Sequence, residues 1–217
     1  MVLDLVYPQG SSRNHPPLCF LQLRIVTGVL QSGSLKGTHT MSRKNSDPTR
    51  LQPFPKGKKD IINAVIETPM GSRNKFKYDE DMGFFALSGV LPQGMMFPHA
   101  FGFIPRTKAP DGDPEDVLVI LDEPVFPGCI VPSRLLGVIE AEQTEDGKTE
   151  RNDRLIAVSA SSRELSHVES LSDLNPVMIK EIEKFFVNYN EEKGKKFKVL
   201  ARRGPQHAMK LLKKSLK

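Results

Sequence analysis

The residues best equipped for chemistry are the six at 111–116, DGDPED. Asp111 and Asp113 stand two apart, so an extended segment turns both carboxylates to one face. Gly112 and Pro114 shape a turn, and Asp116 returns three residues later. Three carboxylates this close repel one another unless cations sit between them. Hard oxygen donors in such a cluster suit Mg²⁺ or Mn²⁺ rather than zinc. The run is not an EF-hand loop, because Asp116 stands where the obligatory glycine belongs. Taken alone, it is equally readable as a polar surface turn, since Asp, Gly and Pro are the commonest turn residues.

Positioning such a cluster requires a rigid frame, and residues from Asp60 onward have the patterning for one. Ile61 to Glu67 reads as a strand closed by Pro69 and Gly71. Val117 to Leu121 reads as a strand buried on both faces. Cys129 to Glu140 and Arg154 to Val158 are two further strands. Short strands punctuated by Gly and Pro indicate a small barrel rather than a βαβ sheet. One helix starts at the cap residue Asn175 with Pro176 in first position. It carries an apolar stripe at Ile182, Phe185, Phe186 and Tyr189 and stops near Gly194. A basic helix or tail over 201–217 closes the chain.

The flanks of the acidic run, FPHAFGFIPRT (97–107) and VLVILDEPVFPGC (117–129), resemble the signature region of the family I soluble inorganic pyrophosphatases. The similarity extends from about Asp60 to Lys195, through VIETPMGSRNKF, GVIEAE, RLIAV and KEIEKFFVNYN. It implies an α+β fold, a five-stranded OB-like β-barrel with flanking helices. It also implies a cytoplasmic homo-oligomer and Mg²⁺-dependent hydrolysis of pyrophosphate, with Mn²⁺ as a substitute and another small diphosphate as an alternative substrate.

On that resemblance, Asp111, Asp113, Asp116 and Glu67 correspond to metal-site carboxylates. Asp113 also activates the attacking water, and Glu67 orients metal-bound waters from outside. Lys75 and Arg154 correspond to phosphate-binding cations, with arginine standing where the family has lysine. Tyr189 corresponds to a donor to the leaving phosphate, although the helix periodicity equally makes it a core residue. Several positions depart from the family. Lys77 replaces a glutamate, Gly89 an arginine, and Asn190 a lysine, while Phe97 and Phe101 replace tyrosines. Gln143 and Asn152 fall where two aspartates belong, unless Asp153, Glu145 or Asp146 enters the site from the longer intervening loop. These changes imply fewer metals and reduced or altered activity. The alternative is a catalytically inactive module that binds phosphate esters, nucleotide or RNA.

Composition narrows the remaining possibilities. The net charge of +5 suits an anionic ligand without choosing one. Absence of tryptophan and the scarcity of aromatics near the basic C-terminus argue against nucleic acid as partner. No apolar run is long enough for a membrane-spanning helix. Cys19 and Cys129 are too few for a disulfide framework. Residues 1–59 read as an irregular, disordered N-terminal extension with scattered prolines, within which 1–40 reads as an over-extended start before Met41.

Overall fold

The computed structural model describes residues 47–110 and 112–217. The first 46 residues of the expected extension, and Asp111, lie outside the described residues. Residues 47–59, the remainder of that extension, are not a disordered tail. Asp47 caps a short 3-10 turn at Pro48–Arg50, with its carboxylate accepting from Thr49 N at 2.9 Å. The Arg106 N–H donates to Thr49 O at 3.1 Å, and Asn63 N–H to Pro53 O at 2.7 Å. These bonds satisfy backbone groups that an irregular segment would otherwise leave to water.

Nine strands and two helices come next. They are β1 (Ile61–Thr68), β2 (Asn74–Asp79), β3 (Phe84–Val90), β4 (Ala100–Phe103), β5 (Asp116–Ile120), β6 (Ile130–Glu145), β7 (Lys148–Arg151), β8 (Arg154–Ser159), α1 (Pro176–Glu191), β9 (Lys196–Arg203) and α2 (Pro205–Ser215). Strands β1, β4, β5, β8 and β6 pair in that order, and β6 pairs back with β1, so five strands close into a ring. Of these pairings only β5 with β8 is parallel. β9 adds to β6 and runs across the boundary expected at residues 200/201, so the basic end is a strand followed by a helix.

Closure follows from the side-chain pattern. β5 and β8 are apolar on both faces, as their uninterrupted runs require. Val117, Val119, Leu155 and Ala157 join Ile62, Ala64, Ala100 and Leu135 in one core, covered by Ala208 and Leu212 of α2. Leu118, Ile120, Ile156 and Val158 face the other way and pack beneath Ile179, Ile182 and Phe186 of α1. Asn175 caps α1 by accepting from Val177 N at 2.9 Å. Beyond the helix, Gly194 adopts φ 70°, a left-handed conformation that glycine takes without steric cost.

One irregularity in β1 sets the direction of a buried carboxylate. Ile66 pairs with Gly102 and Thr68 with Phe101, which leaves Glu67 as the extra residue of a β-bulge. A bulge re-aims the side chain it carries, and such features cluster beside active sites. Close approach of β4 at this point depends on Gly102, where an added Cβ would lie 1.9 Å from Val65 O. That contact is with backbone, which cannot turn aside. Gly102→Ala is therefore expected to cost about 3 kcal/mol or more, since overpacking a rigid contact forces the strands apart. Urea unfolding of the variant checks this, and a loss below about 1 kcal/mol would show that β1 and β4 can separate freely.

Candidate active site

At one end of the ring the bulge, the β2–β3 ribbon, the 112–116 turn and the C-terminal half of α1 converge on a cavity of about 200 Å³. Glu67, Lys75, Asp113, Asp116, Arg154 and Tyr189 all border it, and so do Lys77, Gln143 and Asn152. Six of the seven expected site residues thus meet in one place, the seventh being Asp111.

The turn that delivers Asp113 is held by its backbone. Ala109 N–H donates to Asp113 O at 2.7 Å, and Gly112 N–H to Ala109 O at 2.9 Å with Gly112 at φ 95°. Asp116 then opens β5 opposite Phe103. Lys75 and Lys77 are two apart on β2, so both project to the same face. Among the described residues their strand pairs only with β3, in a separate two-stranded ribbon.

Each acidic group meets a specific partner. Glu67 is buried and accepts from Tyr78 N at 2.9 Å. Burial pushes its carboxyl up to about 7, against the opposing pull of that hydrogen bond. The Lys77 ammonium lies 2.9 Å from Asp113 Oδ2. That contact is the main reason Lys77 is held above the ordinary lysine range. Arg154 Nη1 lies 2.7 Å from Asp116 Oδ2 and also donates to Asp153 O at 3.0 Å and to the Asn152 side-chain carbonyl. The guanidinium is almost fully buried, with its carbon 5.2 Å from the Phe186 ring centre and 5.6 Å from that of Phe197.

Gln143 and Asn152 are spent on each other. Asn152 Nδ2 donates to Gln143 Oε1 at 2.9 Å. Neighbouring acids do not enter in their place. Asp153 accepts from Ala141 N at 3.0 Å and from Arg151 Nε at 2.6 Å, while Glu145 pairs with Lys195 at 2.7 Å. The longer loop is a hairpin, β6 to β7, turned by Asp146 and Gly147 at φ 50° and 79°. Asp-Gly at such a turn is a direct sequence signal for a hairpin. It is the signal that could have found β7.

The remaining departures are structural as well. Asn190 donates its amide to Phe186 O at 2.7 Å, so it stitches α1 rather than reaching an anion. Phe97 and Phe101 are buried in an aromatic cluster with Phe185, Phe186 and Tyr189. Gly89 does not border this cavity; it lines a neighbouring one with Lys75, Tyr189 and Lys193, and an added Cβ there would meet nothing within 4 Å.

Tyr189 stands between two ammonium groups. Its hydroxyl accepts from Lys193 Nζ at 2.6 Å, and Lys75 Nζ lies 5.6 Å from its ring centre. Burial pushes the phenol up, but the two lysines outweigh it and hold the group below its usual value. Lys193 and Lys195 also border the cavity. In the sequence they sit in the run EEKGKKFK (191–198), where no spacing sets them apart from the neighbouring lysines.

The hard oxygen donors suit a divalent cation in type. The complete multi-metal set of the resembled family does not fit. Lys77 and Arg154 hold the two described aspartates, and amides stand at 143 and 152. Among the described residues no three His, Cys, Asp or Glu side chains are grouped to hold a metal.

The two ion pairs differ in energetic weight. Lys77 and Asp113 are 52% and 61% exposed, so breaking the pair is expected to cost less than about 1 kcal/mol. Arg154 is 7% exposed in its side chain, and removing it takes a buried guanidinium from beside Asp116 and empties the aromatic cage. Arg154→Met should therefore destabilise by about 2–4 kcal/mol, and Lys77→Met by under about 1 kcal/mol. Chemical denaturation of both variants checks the ordering. Equal losses would contradict it.

Comparison with known proteins agrees with this geometry. The family model described as "Inorganic pyrophosphatase" matches residues 64–217. An inorganic pyrophosphatase of Halalkalibacterium halodurans is 41% identical over 152 residues, covering 70% of this chain and 91% of that protein. One from Synechocystis sp. is 38% identical over 154 residues, covering 71% and 88%. The crystal structure of the Thermus thermophilus inorganic pyrophosphatase superposes with a TM-score of 0.71 at 33% identity, covering 78% of this chain and 96% of that one. With a family model matching most of the chain and relatives at this level of identity, the chain belongs to the inorganic pyrophosphatase family.

Proposed function

We propose that this chain hydrolyses inorganic pyrophosphate to two phosphates. The observation that supports this best is the meeting of Asp113 with Lys75, Arg154 and Tyr189 around one small cavity. Pyrophosphate is multiply charged, so its attack by water needs cations on its oxygens and a group to take the proton. Lys75 and Lys193 beside Tyr189, and Arg154 beside Asp116, supply positive charge at the cavity. Asp113 accepts the proton as water attacks phosphorus and the bridging P–O bond breaks. The lysine-flanked hydroxyl of Tyr189 donates to the departing phosphate.

Mg²⁺, with Mn²⁺ as a substitute, is the ion that Asp111 and Asp116 suit; when bound it neutralises phosphate charge and lowers the pKa of a bound water. With Lys77, Gln143 and Asn152 in place of carboxylates, the rate is lower than a complete metal set would give. The reading keeps a homo-oligomer in the cytoplasm as the expected state. Exposed Phe84, Leu87 and Phe126 support self-association. No helix among the described residues is long and apolar enough to cross a membrane.

Phosphate release from pyrophosphate and Mg²⁺ tests the proposal. The wild type should turn over slowly, and Asp113→Asn should lower the rate by about 100-fold or more, the usual worth of a general base. Restoring carboxylates together, as Lys77→Glu, Gln143→Asp and Asn152→Asp, should raise the rate, each tenfold gain corresponding to about 1.4 kcal/mol. Binding of pyrophosphate without any release of phosphate would favour the module that holds phosphate esters or nucleotide without hydrolysing them.

A further inference from the structure

The cavity carries more positive than negative side chains. Five cationic groups border it against three described carboxylates, and the excess survives if Asp111 adds a fourth. Their arrangement is specific. Lys77 Nζ sits 2.9 Å from Asp113 Oδ2, and Arg154 Nη1 sits 2.7 Å from Asp116 Oδ2. A divalent ion ligated by either oxygen would compete for the same lone pairs and would face a fixed positive charge a few ångströms away.

Arg154 cannot readily yield its position. It is buried, caged by aromatic rings and bonded to Asn152 and Asp153 as well as to Asp116. Its buried Nε has no hydrogen-bond partner among the described residues. A buried donor without a partner is costly.

We propose that Lys77 and Arg154 are built-in counter-cations, so that the cavity takes its diphosphate as the free anion, without a bridging metal. This rests on the pyrophosphate reading above and extends it, separating a metal-independent binding step from a metal-assisted hydrolytic one. The cost of bringing cations and carboxylates together is met in folding, and the anion enters a site that is already neutralised and positive at its rim. Lys75 and Lys193, flanking Tyr189, supply that rim.

Calorimetric titration with imidodiphosphate, which is not hydrolysed, tests this on the full chain. Binding in excess EDTA should be within about threefold of binding in Mg²⁺, and Lys77→Met should weaken the EDTA value by about tenfold or more. Lys77→Arg should retain it, because the guanidinium keeps the charge. Lys77 is half exposed, so both variants should fold, and a thermal melt of each verifies that they do. Loss of wild-type binding in EDTA, or an unchanged affinity in Lys77→Met, overturns the proposal. Phosphate release with Mg²⁺ separates the two levels. Hydrolysis without chelator-resistant binding sinks this inference and leaves the enzymatic reading standing. Absence of both removes the two together.

Discussion

Carboxylates crowded into a small cavity must be neutralised before anything else in that cavity can be organised. Here protein side chains do much of that work. The Lys77–Asp113 and Arg154–Asp116 pairs offset the acidic turn, and Glu67 is buried deeply enough that its proton is held to near neutral pH. Each remedy requires a particular placement of backbone. Lys77 must come from the β2–β3 ribbon, Arg154 from the first residue of β8, and Glu67 from a bulge.

That requirement explains features of the fold that would otherwise look incidental. Gly102 is bare so that β1 can approach β4 where the bulge turns Glu67 inward. Buried Phe186 and Phe197, from α1 and β9, give Arg154 an aromatic cage in place of solvent. A guanidinium tolerates such surroundings because it is weakly hydrated and stacks on rings, which an ammonium does less well. Arginine at 154 and tightly packed phenylalanines around the site are therefore parts of one arrangement. Asn190 fits it too, with its amide N–H donated back to the helix at Phe186 O.

Much of the frame is legible in the residues, and the limits of that legibility have physical causes. β1, β5, β8 and α1 announce themselves because each buries a continuous or periodic apolar face. β7 is exposed and polar, and β2 and β3 form a separate two-stranded ribbon whose apolar residues are, apart from Tyr78, left at least partly exposed, so burial does not mark them as it marks the ring strands. β9 alternates Phe197, Val199 and Ala201 with charged or exposed neighbours, but its lysines and arginines blend with the basic tail. In the site, DGDPED declares itself through local spacing. The partnership of Lys77 with Asp113 spans 36 residues and is created only by folding, as is the pairing of Gln143 with Asn152 across a hairpin.

The Lys77 ammonium lies against Asp113 Oδ2 and the Arg154 guanidinium against Asp116 Oδ2. Anomalous diffraction from crystals grown with Mn²⁺ and imidodiphosphate tests most directly whether they stay there, because each manganese appears as its own peak. The expected result is Lys77 Nζ in contact with Asp113, Arg154 in contact with Asp116 Oδ2, and no manganese ligated by Asp113. Manganese bound to Asp113, with Lys77 swung away, would contradict it.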